Sequence, residues 1–390
     1  MRAPSCGESG CPVPFNRLRL LAAAFVGFGT FWGAWAVAAA DIERSLGVSH
    51  GGFGLLLSIA LGVAAITNSI AGSLTERWGT STALSYGLVV WAVLLVFGAV
   101  APEGALALVL IATIAAGGAV DVVMNVAATT AFADEPGRLV RFHGFFNAGA
   151  AVGALATGVL LRAGWSWRWT WAAVGLVAII LATRIHGTEL PASGAGERRS
   201  LTTAVRVVWR ERLIVLALAF AVGAMVEGGI ETWGVLSLRE RVGSGIVLGA
   251  GAAVVAYVVA AIARVTLGPL VASRGAAIGV ATGATLAAGG LVVLAVVNQP
   301  VVAAGGLVVA AAGISMCWPL LLAHASSGFD RPGDVIGGVT SVGYLGFVVG
   351  PSLVGWVAAA VGLRGGLLVL AVAALGVALA PSARVRVTSE

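Results

Sequence analysis

From end to end the chain is divided into apolar stretches about 20 residues long, separated by short polar punctuation. A bilayer core about 30 Å thick takes about 20 helical residues to cross, and inside it every backbone polar group must be satisfied within the fold. Membrane-spanning helices are therefore what this pattern allows. Charge, Pro and Gly clusters mark twelve stretches, at residues 18–40, 52–74, 81–100, 105–130, 142–162, 168–185, 213–237, 246–268, 277–297, 301–324, 336–360 and 366–382. Composition removes the soluble alternative. Of 390 residues, 59% are hydrophobic and 10% charged, against about 45–50% and about 25% in an ordinary soluble domain, and mean hydropathy is +1.00. The chain reads as an all-α polytopic membrane protein.

Arg17 and Arg19 precede an apolar run ending in Ala38-Ala39-Ala40, an arrangement shared with secretory leaders. The run exceeds the roughly 7–15 residues of a leader's apolar core, so it is read as the first span. The net charge of +6 comes from arginines alone, since all 23 basic residues are Arg. They sit singly beside apolar stretches, where loop charges orient a membrane protein, and not in a patch suited to nucleic acid. With both termini in the cytoplasm only Arg44, Arg162, Arg168, Arg239, Arg241 and Arg364 fall outside, leaving 17 inside. This orientation suits the cytoplasmic membrane of a bacterium. Cys6, Cys11 and Cys317 make neither a disulfide framework nor a metal set.

The longest polar stretch lies near the middle of the chain. It divides the sequence into a cytoplasmic tail (1–17), a six-helix bundle (18–185), a cytoplasmic linker (186–212), a second six-helix bundle (213–382) and a tail (383–390). The two bundles repeat each other. Gly72-Ser-Leu-Thr-Glu-Arg-Trp-Gly79 after span 2 corresponds to Gly268-Pro-Leu-Val-Ala-Ser-Arg-Gly275 after span 8, and Gly149 and Gly153 in span 5 correspond to Gly346 and Gly350 in span 11. Two matches at nearly one offset point to a duplicated, pseudo-symmetric architecture.

Gly72, Glu76, Arg77 and Gly79 combine glycines for a tight turn with an ion-pairing couple, and resemble the loop signature of the major facilitator superfamily. Asp121-Val-Val-Met-Asn125 followed by Gly137-Arg138 and His143-Gly144-Phe-Phe-Asn147-Ala-Gly149, Glu227-Gly-Gly-Ile-Glu231-Thr-Trp233 with Leu238-Arg239, and Gly343-Tyr344-Leu-Gly346-Phe-Val-Val-Gly350-Pro351 are similar to the YbjJ-like branch of that superfamily, related to fucose:proton symporters. Ala38 and Phe132 depart from that branch, which carries a basic residue and a carboxylate at or near those places. The resemblance implies twelve helices in two bundles and transport of a small-molecule solute by alternating access, with protons as a coupled partner.

Ionisable groups inside the bilayer are costly unless they face protein or water, so they are the leading site candidates. Asp121 and Asn125 are four apart on one face of span 4, either as a proton or substrate site or as an interhelical hydrogen bond that sets packing. Glu227 and Glu231 share a face of span 7, and two carboxylates so placed repel, which suits uptake and release of one proton. Solvation of Glu231 at the outer headgroups is the alternative. His143 and Asn147 at the start of span 5 fit a relay or an interfacial hydrogen bond, and Arg264 fits a carboxylate partner, an anion site or a snorkelling side chain. Trp32, Trp35, Trp233, Tyr257, Trp318 and Tyr344 are candidate cavity aromatics or packing residues. Gly149, Gly153, Gly346 and Gly350, with Pro351, permit close helix packing.

Nothing in the sequence resembles a nucleotide loop, a metal cluster or a nucleophilic triad, so neither enzymatic chemistry nor a cofactor is expected. The function expected is secondary transport by a monomer, with export, uncoupled facilitation or a non-transporting sensor as alternatives.

Overall fold

The computed structural model describes residues 15–132, 136–191, 206, 208–210, 213–326 and 332–380. Its elements are α1 (Phe15–Leu46), α2 (His50–Trp78), α3 (Thr80–Val100), α4 (Glu103–Ala131), α5 (Pro136–Phe142), α6 (Gly144–Arg162), α7 (Arg168–Ile185), α8 (Ile214–Glu240), α9 (Ile246–Arg274), α10 (Ala276–Val296), α11 (Pro300–Ser315), α12 (Cys317–Ser326), α13 (Pro332–Val361) and α14 (Leu363–Leu379). Eleven helices, α11 and α12 counting as one, are long and apolar enough to cross a membrane, and α14 is a shorter apolar helix. At 17 residues it still reaches the lower limit for a span.

The helices outrun the expected spans at several ends. α1 continues six residues past Ala40, so the Ala38–Ala40 run lies buried inside a helix. Two features differ in kind from the sequence reading. α5 is a short helix between spans 4 and 5, and the tenth span is broken at Met316 into α11 and α12. The break has a covalent cause, because Pro319 has no N–H to give the carbonyl four residues earlier.

The duplication is visible in the packing. α1 lies against α6 as α8 lies against α13, α2 against α4 as α9 against α11, and α3 against α7 as α10 against α14. Glycines set the first of these seams, where two backbones approach closely. A Cβ on Gly149 would fall 2.0 Å from the Val26 carbonyl oxygen, one on Gly153 1.9 Å from that of Thr30, and one on Gly346 1.7 Å from that of Ala221. Gly350 meets the Met225 side chain at 2.9 Å instead. The short turns α2–α3 and α9–α10 each pivot on a left-handed glycine, Gly79 (φ 81°) and Gly275 (φ 96°), the pair matched by the sequence repeat.

The two halves meet along α2 with α13, α6 with α9, and α1 with α8. Their closest approach lies at the end where α1 finishes and α2 begins. There Gly54 abuts the Pro351 carbonyl, Gly355 abuts that of His50, and Ser58 Oγ accepts a hydrogen bond from the Ser352 N–H at 3.0 Å. Pro351 sits within a continuous α13.

Candidate functional site

At the level of the middle of α8 the seam holds a partly open cavity of about 70 Å³, room for about two waters. Its walls come from both halves: Ala36 on α1 and Asn147 on α6 face Glu227 and Glu231 on α8, Tyr257 on α9 and Ser315 on α11. The four-residue spacing of the glutamates puts both on one face. Gly228 and Gly229 between them let Phe347 and Leu370 press on α8 from elsewhere on its surface. Small residues on the neighbours, Ala253, Ala256 and Ala260 of α9 and Ala311 of α11, leave the space open. Tyr257 lies within electrostatic reach of Glu231 and Glu227, and Cys317 within reach of Glu227.

Asn147 Nδ2 and Tyr257 Oη are buried and have no hydrogen-bond partner among the described residues. Buried polar atoms are paired almost everywhere in folded proteins, so orphans lining a cavity mark a place where a ligand or water completes the set. Among the described residues lining it the cavity has no basic side chain. It therefore offers two carboxylates, an amide, a phenol and a hydroxyl.

Other expected site residues stand elsewhere. Asp121 does not line this cavity; its Oδ1 and its backbone carbonyl accept from Asn125 Nδ2 at 2.8 and 2.9 Å, a local arrangement within α4. Across the seam it lies within electrostatic reach of Tyr344 on α13. His143 precedes α6 and meets the Phe25 ring edge-on at 5.2 Å. The side chain of Arg264 lies outside the described residues, and the Gly268–Arg274 segment, expected as a loop, is the last part of α9, with Gly275 as its C-cap. Gly72, Glu76, Arg77 and Gly79 close α2, with Glu76, Arg77 and Gly79 exposed.

Of the candidate aromatics, Tyr257 lines this cavity, whereas Trp32, Trp35, Trp233, Trp318 and Tyr344 are not among its walls. Trp35 stacks on Phe53 with centroids 5.9 Å apart, and Phe53 meets Trp233 edge-on, a fully buried plug joining α1, α2 and α8. Trp32 packs among Phe28, Phe31 and Trp35, and Trp318 against Phe220, Tyr344 and Phe347. Large flat side chains fill the seam because nothing smaller buries as much area there. A larger apolar groove between α2, α3 and α4, edged by Leu74, Trp78 and Val90, lies within the first half and away from the seam.

Beyond the aromatic plug lies a polar latch of which the sequence motifs named only Arg239. Arg239 of α8 donates to the Asp41 carboxylate of α1 and, at 3.3 Å, to the Val37 carbonyl. Arg44 also bonds Asp41, at 2.6 Å. His50 Nδ1 lies 2.6 Å from Glu43 Oε1, and its Nε2 lies 3.8 Å from Glu240 Oε2. The other signal present in sequence was a set of three charged residues after span 1, Asp41, Glu43 and Arg44, and another after span 7, Arg239, Glu240 and Arg241. Their meeting across 198 positions depends on the fold.

Twelve spans in two matched halves around a polar cavity are a transporter's architecture. The family model described as Major Facilitator Superfamily matches residues 20–351. The chain belongs to that superfamily. Solved structures of the same fold include a bacterial homolog to the human lysosomal transporter Spinster in an inward-facing, occupied conformation, at 16% identity and TM-score 0.74, covering 96% of this chain and 97% of the other. The nucleoside transporter NupG matches at 12% identity and TM-score 0.74, covering 94% and 99%. A D-xylose-proton symporter matches at 15% identity and TM-score 0.74, covering 94% and 97%. No curated protein matches the chain in sequence.

Proposed function

We propose that this superfamily member is a proton-coupled carrier of the YbjJ-like branch in the cytoplasmic membrane of a bacterium. It moves a small hydrogen-bonding solute between its halves by alternating access, and works as a monomer. The observation that carries this reading is the seam cavity, where Glu227 and Glu231 share the walls with the unpartnered atoms of Asn147 and Tyr257. In the described conformation the cavity has room only for water, and a solute entering when the seam opens there meets carboxylates and neutral donors, so the class favoured is neutral polyols or organic cations over anions. The two glutamates are the proton carriers: a shared face makes their charges interdependent, so binding of a solute or opening to one side changes how readily the pair holds a proton.

The arginine distribution puts both termini and the linker 186–212 in the cytoplasm and the latch outside. On that orientation the described conformation is closed to the exterior, and the Gly72–Gly79 end of α2 belongs to the cytoplasmic gate. Asp121 serves as a secondary titratable group facing Tyr344.

The test is solute-independent at first. Purified protein in proteoliposomes is screened by thermal shift against polyols, nucleosides, amines and sugar acids, since a ligand of the folded state raises its melting temperature. Uptake of a hit is then driven by an inward proton gradient. Glu227→Gln and Glu231→Gln are expected to abolish gradient-driven accumulation while retaining exchange. Full accumulation by the double variant would contradict the proton assignment.

A further inference from the structure

We propose that the latch contains a divalent transition-metal site made by Glu43 of α1, His50 of α2 and Glu240 of α8, and that a bound ion staples the two halves in the described conformation. Each of the three residues offers one ligand atom within 4.8 Å of the other two. A nitrogen and two carboxylate oxygens suit Zn²⁺, Co²⁺ or Mn²⁺. Ligand atoms sit about 2.0–2.2 Å from a zinc ion, so a contraction on the order of 1 Å closes the set. His50 and Glu240 are partly open to solvent, which leaves room for water to complete the coordination.

An independent observation points to a missing cation. The Glu43 side chain is only 5% exposed, and its Oε2 is buried with no hydrogen-bond partner among the described residues. A carboxylate oxygen buried in that way is expensive unless a positive charge reaches it. The neighbouring guanidinium groups do not supply one, because both Arg44 and Arg239 are turned to Asp41. Glu43 is thus left to the His50 imidazole, which also approaches Glu240, a residue that lies within electrostatic reach of Arg44 and Arg239 as well. A protonated His50 would leave the trio with a net negative charge, whereas a divalent ion with neutral His50 brings it to zero.

Two ligands belong to the first half and one to the second, so a bound ion resists separation of α8 from α1 and α2. The binding claim rests on this geometry alone. The stapling claim rests on the alternating-access reading above.

Full-length protein freed of any affinity tag is titrated in detergent with Co²⁺, read by its visible absorption, and with Zn²⁺, read by calorimetry. One ion per chain is expected. Glu43→Gln, His50→Asn and Glu240→Gln should each weaken binding about tenfold or more, while Glu103→Gln, at the same end of the molecule, should leave it unchanged. His50→Cys should restore or tighten Zn²⁺ binding and, being a gain, separates loss of a ligand from loss of the fold. Binding equal in wild type and the three ligand variants would overturn the site. In proteoliposomes Zn²⁺ should slow solute exchange in wild type and not in Glu240→Gln. Metal binding without any effect on exchange would overturn the staple and leave the site, and absence of exchange in metal-free wild type would instead count against the carrier reading.

Discussion

The two halves share one plan, and they use it differently. In the first, both seam glycines of α6 press on backbone carbonyls of α1, α4 is unbroken, and the polar pair Asp121 and Asn125 is hydrogen-bonded within its own helix. In the second, one seam glycine meets a flexible methionine, the counterpart of α4 is split at Met316, α13 carries Pro351, and Glu227 and Glu231 face the cavity. The first half is built as a fixed platform. The second carries the broken helix and the two cavity carboxylates, features that membrane helices tolerate where they line a cavity.

The sharpest way to break this contrast is at the seams. Gly153→Ala sets a methyl against the Thr30 carbonyl, which cannot turn aside, and should cost on the order of 1–3 kcal/mol or more. Gly350→Ala meets only Met225 Cγ, which can move, and should be far milder. Melting temperatures of the two purified variants check this, and equal losses would erase the distinction.

The latch gives a second asymmetry. Removing Arg239 leaves Asp41 still bonded to Arg44, whereas removing the Asp41 charge leaves Arg239 with only the Val37 carbonyl. Asp41→Asn should therefore destabilise this conformation by roughly 1.5–3 kcal/mol, and Arg239→Gln by less. Accessibility of a cysteine at Ser58, next to the α2–α13 contact, reports it as faster labelling in the first variant.

Asn125→Ala should lower stability by only about 1 kcal/mol and leave transport intact, because its amide serves its own helix. Loss of transport comparable to that of Glu231→Gln would move the functional centre into the first half. The smallest effect tests the sameness of the halves: Gly79→Ala and Gly275→Ala should each cost about 1 kcal/mol, since both positions need a left-handed residue.

Much of the fold was legible because the bilayer imposes it. Span number follows from segment length, and the repeat showed in Gly79 and Gly275, where the turn needs positive φ, and in Gly149, Gly153 and Gly346, where a backbone carbonyl leaves no room for a Cβ. The break at Met316 carried a signal, Pro319, masked by the unbroken hydropathy around it. Of the cavity, Glu227, Glu231 and Asn147 could be named from depth and spacing alone. The tryptophans could not be assigned, since an aromatic ring that fills a seam and one that lines a cavity have the same sequence signature. The latch was hidden for a different reason: Asp41, Glu43, His50 and Glu240 acquire their partners only when the end of α8 meets the α1–α2 turn.

The central claim is that the halves rock about a seam clamped at one end. Double electron–electron resonance measures it without knowledge of the solute, with spin labels at Ser49 and Gly245 on the latch end and at Arg184 and Ile278 on the other, in a background lacking the native cysteines. Asp41→Asn should lengthen the first distance and shorten the second within the same sample. Distances unchanged at both ends, or lengthening at both together, would contradict the account.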